Sequence, residues 1–234
     1  MLFNIFTNDL PDIFDHSKTD PVQLDTTKLN CLLYADDLVL LSESEKGLQS
    51  CLEQLNSYCS KWKLKINISK TKIIIFSKGK RKWSNFRFMI NDQKIEVVEK
   101  HKYLGVILTY NGNLKHAADQ LCNEALKATF SLKLKILDFD FLSMNLKLKL
   151  FDTLIKPIIT YISEIWISDF TIKELKSDNL SFEKIHNHFC KYLLGVHKKA
   201  SNFASKCELG KLPIISFITS STFKYYSKLK ELPY

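Results

Sequence analysis

Arginine is nearly absent from this chain of 234 residues: Arg81 and Arg87 are the only two among 34 basic side chains. Glycine is scarce at 6 and proline at 5, which excludes collagen-like and proline-rich linker architectures. No run of about 18 or more uncharged apolar residues occurs, so a hydropathy-defined spanning helix is not expected. The longest apolar candidate, Pro157 to Ile167, is interrupted by Glu164. No secretory leader is expected either, because Asp9 and Asp12 follow Met1 to Phe6 before any small-residue cleavage site. Six cysteines are present, but no C-x-x-C pair. A chain of this length can bury a core without disulfide staples, so reduced thiols in a cytosolic or nuclear protein are expected. Without secretion, Asn67-Ile68-Ser69 and Asn179-Leu180-Ser181 are coincidental glycosylation patterns.

What the chain does have is an ordinary folded composition, 45% hydrophobic and 25% charged, which excludes a mostly disordered protein. Its formal net charge is +9, carried almost entirely by lysine. Lysine neutralises phosphate as a point charge, whereas arginine is the better reader of base edges. The charge therefore suits sequence-independent contact with a polyanion, or equally a well-solvated surface.

The periodicity predicts a mixed α and β first half and a helical second half. Apolar residues from Leu2 to Phe14 have helical spacing interrupted at Pro11. Leu48, Leu52, Leu55, Cys59 and Trp62 form one helical stripe over Ser44 to Lys61, with Ser42 or Ser44 available as the cap. The β-branched run Thr71 to Phe76 predicts a strand. Lys78 to Arg87 reads as a basic loop. Phe86 to Ile90 and Ile95 to Val98 read as a hairpin around Asn91-Asp92, and Tyr103 to Leu108 as a further strand. Helices are then expected over roughly Leu114–Leu137, Leu142–Ile155, Pro157–Ile167, Leu180–Leu194 and Pro213–Leu232. A boundary is expected near Thr109 to Asn113.

The informative stretch is Leu32-Leu33-Tyr34-Ala35-Asp36-Asp37-Leu38-Val39-Leu40-Leu41. Continuous apolar residues on both sides predict strands buried on both faces. Two adjacent carboxylates cannot be buried there unpaired, since desolvation costs several kcal/mol per ion. They belong at a turn, facing water or a cation. Like charges about 4 Å apart repel by about 4 kcal/mol at an effective dielectric of 20, and a divalent cation such as Mg²⁺ or Mn²⁺ would turn that repulsion into binding. A plain solvated hairpin turn is the alternative, because Asp is a favoured turn residue.

Segments spread in order along the chain resemble the reverse transcriptase domain of non-LTR (LINE-type) retrotransposons. Leu2 to Pro11 is similar to the tail of the family's motif B helix, and Tyr34-Ala35-Asp36-Asp37 to the motif C box. Trp62 to Asn67 with Ser69-Lys70-Thr71-Lys72 and Phe76 resembles motif D, and His101 to Val106 the primer grip. Lys156 to Tyr161 with Glu164 and Trp166 resembles the thumb; Phe189 to Gly195 and Glu208 to Pro213 resemble segments beyond it. The resemblance implies an α+β fold. A partial polymerase palm, an antiparallel sheet with the YADD hairpin packed on helices, would span 1–110. Thumb-like helices would span 111–170 and a C-terminal helical segment 171–234.

The resemblance also implies the chemistry: RNA-directed DNA polymerisation, joining a dNTP to a primer 3′-OH opposite an RNA template. Asp36 and Asp37 would be metal ligands for Mg²⁺ or Mn²⁺, and Tyr34 would lie beside the primer terminus or nucleotide. Lys70 would act near the triphosphate, Asn67 would shape the turn before it, and Tyr103, Leu104 and Gly105 would hold the primer. Lys78, Lys80, Arg81 and Lys82 could track a phosphate backbone, as could Lys133, Lys135, Lys147 and Lys149 on the thumb. No membrane and no obligate protein partner are expected. His186, His188 and Cys190 are read as helix packing, because only His186 and Cys190 would share a face and no neighbouring cluster completes a zinc site.

The chain departs from the family pattern at its start. The motif A carboxylate, the Gly and Gln of motif B, and the fingers have no counterpart in these 234 residues. Asp9 and Asp25 occupy other contexts. One Asp pair supplies too few carboxylates for two metals, so the expectation is a reverse transcriptase fragment that is inactive alone. A non-catalytic nucleic-acid-binding module, or a remnant without function, is the alternative.

Overall fold

The computed structural model of the chain describes residues 5–77, 79, 85–138, 141–177 and 179–231. Two compact units divide at residues 99 and 100. Helix accounts for about 52% of the structure and the strands form small sheets. The expected mixture of α and β is therefore present.

The first unit begins with a 3₁₀ turn, Pro11–Ile13, and a single-turn helix α1, His16–Thr19. Strands β1 (Val22–Leu24) and β2 (Thr27–Leu29) form a hairpin that turns at Asp25, φ 51°. Strands β3 (Cys31–Tyr34) and β4 (Asp37–Leu40) form a second hairpin. Helix α2, Glu45–Lys61, follows. Ser44 caps it, accepting from the Gly47 N–H, so of the two expected caps Ser44 is the one used. Of the stripe predicted for this helix, Leu52, Leu55 and Cys59 are buried and Leu48 is half-buried, while Trp62 lies past the helix end and is exposed; Tyr58 joins the buried face instead. Strand β5 is Lys72–Ile73, shorter than the predicted strand. Strands β6 (Met89–Ile90) and β7 (Gln93–Lys94) pair around Asn91 and Asp92, both at positive φ. Strand β8 (Glu96–Val97) pairs in parallel with β5.

The expected antiparallel sheet of this unit is thus divided into two-stranded ladders, one of them parallel. Side chains from α2 rather than further strands close its core. Leu52, Ile73, Phe88, Ile90 and Ile95 form one buried cluster, and Leu10, Leu55, Tyr58 and Cys59 another. Gly47 permits the close approach of α1 and α2. A Cβ built there would lie 2.5 Å from the Thr19 carbonyl oxygen and from Ser42 Oγ. Gly47→Ala is expected to destabilise the chain by about 1–3 kcal/mol despite alanine's better helix propensity, because a backbone carbonyl cannot swing aside. A urea midpoint equal to that of the parent would contradict this.

The second unit opens with the hairpin β9 (Lys100–Tyr103) and β10 (Val106–Thr109), turning at Leu104 and Gly105. Sequence alone showed one strand here. Helices α3 (Lys115–Asp138), α4 (Met144–Leu154), α5 (Lys156–Ile159) and α6 (Ser163–Trp166) follow, then α7 (Ile172–Leu175), α8 (Ser181–Leu193), α9 (Asn202–Glu208) and α10 (Ile214–Lys230). Four expected helices match to within two residues. Pro157–Ile167 is the exception: the chain breaks after Ile159, and Ile162 takes φ 46° before α6 begins. The Trp166 indole N–H donates to the Tyr161 carbonyl at 2.9 Å, which satisfies that oxygen without a helix. Trp166 is fully buried and, with Phe151, Phe182, Phe189 and Ile218, belongs to one large core. Among the described residues no helix is long and apolar enough to cross a membrane.

Candidate functional site

The sequence places Asp36 and Asp37 at a turn, and the β3–β4 register shows how. Tyr34 pairs with Asp37, Leu33 with Leu38, Leu32 with Val39 and Cys31 with Leu40. Only Ala35 and Asp36 lie between the strands, so Asp36 is the tip and Asp37 the first residue of the return strand. Ala35 takes φ 53°. A left-handed conformation costs a residue with a Cβ roughly 1–2 kcal/mol, so this tight turn is strained. Both carboxylates are exposed.

Cross-strand partners share a face of the ribbon. Leu38 and Leu40 pack against the α2 clusters, which places Cys31, Leu33, Leu38 and Leu40 on the face turned to α2, although Leu33, next to the turn, is itself exposed. Leu32, Tyr34, Asp37 and Val39 share the other. On it Leu32 is 46% exposed and Tyr34 64% exposed. The expectation that both faces are buried is therefore corrected. The continuous apolar run signals two apolar faces, but within this unit only one is covered.

Asp36 and Asp37 present hard oxygen ligands at an exposed tip, the right chemistry for Mg²⁺ or Mn²⁺. Their number is the limit. Among the described residues no group of three or more His, Cys, Asp or Glu side chains comes together that could hold a metal ion. Asp9 is engaged elsewhere, accepting from the Tyr58 hydroxyl at 2.6 Å. Burial, then Asp9, pushes the Tyr58 phenol up to about 12, so it stays a donor. The pair does not by itself fit a two-metal centre.

Lys70 is exposed at the end of a turn that Asn67 organises. Asn67 Oδ1 accepts from Ser69 Oγ at 2.7 Å and from the Lys70 N–H at 3.2 Å, and its carbonyl accepts from the Thr71 N–H at 3.0 Å. Asn67 thus shapes the turn, as its sequence context suggests. This polar turn lines a concavity of about 640 Å³ with Asn56, Cys59 and Asn91.

Tyr103, Leu104 and Gly105 lie in the second unit, at the β9–β10 turn. Tyr103 ends β9, Leu104 has φ 45° and Gly105 φ 83°. The hairpin is tied to α3 by Lys102 and Glu124 at 3.3 Å. Lys78, Lys80, Arg81 and Lys82 lie outside the described residues.

Of the lysines expected to line a duplex, Lys135 and Lys149 are exposed, but Lys133 is buried. Its amine sits 2.6 Å from His188 Nδ1 and 4.6 Å over the Tyr192 ring. Burial holds this amine below the usual lysine range, and burial with the Lys133 charge lowers His188. His186 and Cys190 are core residues of α8. Sequence reasoning missed Glu183 and Lys206, which meet at 3.5 Å and are both almost fully buried. No residue pattern marks them, since each lies on a helix where charges usually face water.

Residues 1–108 match the family described as reverse transcriptase (RNA-dependent DNA polymerase), a span that contains the acidic hairpin. The chain is 26% identical over 153 residues to an uncharacterized transposon-derived protein of Caenorhabditis elegans, covering 62% of this chain and 52% of that protein. It is 36% identical over 77 residues to a Drosophila melanogaster protein named "Probable RNA-directed DNA polymerase from transposon BS", covering 30% of this chain and 8% of that protein. The chain thus spans about half the length of the first relative and a small part of the second. No solved structure matches it. The family match thus covers the segment that carries the Asp pair, and both relatives bear names that refer to transposons.

Proposed function

We propose that this chain is a segment of an RNA-directed DNA polymerase of the non-LTR retrotransposon type. Residues 1–110 would be part of the palm, 111–170 the thumb and 171–234 a C-terminal helical segment. One observation carries this: an Asp pair at the exposed tip of a two-residue hairpin, with Tyr34 directly across from Asp37. In such an enzyme a primer 3′-OH bonds to the α-phosphorus of a dNTP opposite an RNA template and pyrophosphate leaves; divalent ions, where bound, would offset the charge that develops.

Asp36 and Asp37 contribute metal ligands, and Tyr34 borders the primer terminus or nucleotide. Lys70 serves the triphosphate, and Tyr103, Leu104 and Gly105 hold the primer. Lys78, Lys80, Arg81 and Lys82 add phosphate contacts. Two carboxylates are too few for a pair of ions, so the contribution of these residues stops at presenting them. Cytoplasm or nucleus is the proposed setting, where unpaired thiols persist.

Two measurements test this. The 234-residue chain should give no primer extension with Mg²⁺, dNTP and an RNA–DNA primer–template; robust extension overturns the inactivity. Mn²⁺ should selectively broaden the backbone resonances of residues 34–37, and Asp36→Asn should abolish the effect. If broadening is absent or evenly spread over the surface acids, the hairpin is a plain solvated turn.

A further inference from the structure

The turn that joins β9 to β10 is held by a residue 57 positions away in sequence. Tyr161 Oη donates to the Leu104 carbonyl at 2.9 Å. Its ring covers Gly105: a Cβ built on that glycine would lie 3.4 Å from Tyr161 Cε1. Gly105 at φ 83° thus meets two demands at once, a conformation other residues resist and room for an aromatic edge.

Tyr161 is itself fixed from behind. Its carbonyl accepts from the Trp166 indole at 2.9 Å, and Trp166 is fully buried in the core of the second unit. The next residue, Ile162, takes φ 46°. A β-branched residue in the left-handed region is strained, and such strain persists only where the surroundings over-determine it. The break between α5 and α6 is therefore what aims Tyr161 at the turn. A continuous helix over Pro157–Ile167 would carry this side chain elsewhere.

Tyr161 is 44% exposed, so packing alone does not account for this arrangement. We propose that Tyr161 is a positioning residue: it sets the Leu104–Gly105 turn against the helices of its own unit so that the turn meets a primer terminus. This rests on the function proposed above. Tyr161 touches no reacting atom; it acts through the turn.

Tyr161→Phe keeps the ring over Gly105 and removes only the donor, so the fold should survive. Two readouts on the 234-residue chain separate the possibilities. Amide exchange at Gly105 and Val106 should speed up by a few-fold to about tenfold, the range that one modest hydrogen bond allows. The affinity ratio between a recessed-end primer–template and a blunt duplex of equal length and charge should fall by a similar factor, with the thermal midpoint little changed. Tyr161→Trp, which restores a donor on a large ring, should recover part of that ratio.

Unchanged exchange in Tyr161→Phe overturns the clasp. Faster exchange with an unchanged ratio overturns its link to the primer. A parent chain that shows no recessed-end preference overturns the proposed primer contact itself, whatever the exchange data show for the turn.

Discussion

Glu183→Gln should destabilise the helical unit by about 3–5 kcal/mol, the usual result of leaving a buried charge without its partner. Glu183 and Lys206 both have side chains almost wholly removed from water, 3% and 6% exposed. Glu183 Oε1 also accepts from the Ile215 N–H at 2.8 Å, at the first turn of α10. Glutamine keeps an oxygen for that N–H, so the substitution isolates the charge. The α8–α9–α10 assembly would be left with an ammonium and no counter-charge. Adding Lys206→Met should recover most of the loss, since a flexible apolar side chain fills the same volume without a charge to desolvate. Urea unfolding followed by Trp166 fluorescence can read the full double-mutant cycle. A loss below about 1 kcal/mol for Glu183→Gln would show that water reaches the pair.

Acid should unfold this same unit sooner than its carboxylates alone require. His186 is 4% exposed, stacked 5.3 Å from Phe151, and its Nδ1 has no partner. Burial, reinforced by the charge of Lys206, holds its imidazole down at about 4, from an ordinary 6.5. The unfolded chain therefore takes up the proton first as pH falls. Stability from keeping His186 neutral is complete above pH 6.5, declines from there, and is exhausted near pH 4. The full interval corresponds to about 3 kcal/mol. Asp152 opposes the shift, while Lys211 and Lys156 support it. His186→Phe should flatten the decline in urea midpoint between pH 6.5 and about 5.5, the part of the window in which carboxylates such as Glu174 are still ionised in the unfolded chain. If parent and variant follow parallel curves across that window, His186 is not the group responsible.

The elements that sequence made legible are those whose pattern is decided locally. The stripe of Leu48, Leu52 and Leu55 with a serine before it specifies α2, and Asn91-Asp92 specifies a tight turn wherever it falls. The Asp pair was legible for a related reason: two adjacent carboxylates inside an apolar run have few places to go. Other features were hidden because distant residues decide them. Pro157–Ile167 has helical spacing, yet the Trp166 indole captures the carbonyl that a helix would use. Lys133 and Lys206 look like solvent-facing cations until His188, Tyr192 and Glu183 arrive from α8. The exposure of Leu32 was equally invisible, because a strand's alternation shows which residues share a face and not whether anything lies upon it.

That bare ribbon has a practical side. Strands β3 and β4 bond only to each other among the described residues, so backbone donors and acceptors along their outer margins remain available beside Leu32, Leu33 and Tyr34. Such margins invite pairing with a neighbouring molecule. The negative charges at the tip repel a second ribbon only at that end. A concentrated solution of this polypeptide will therefore tend to clump through its most informative hairpin, and lysines placed at positions 32 and 34 should keep it dispersed.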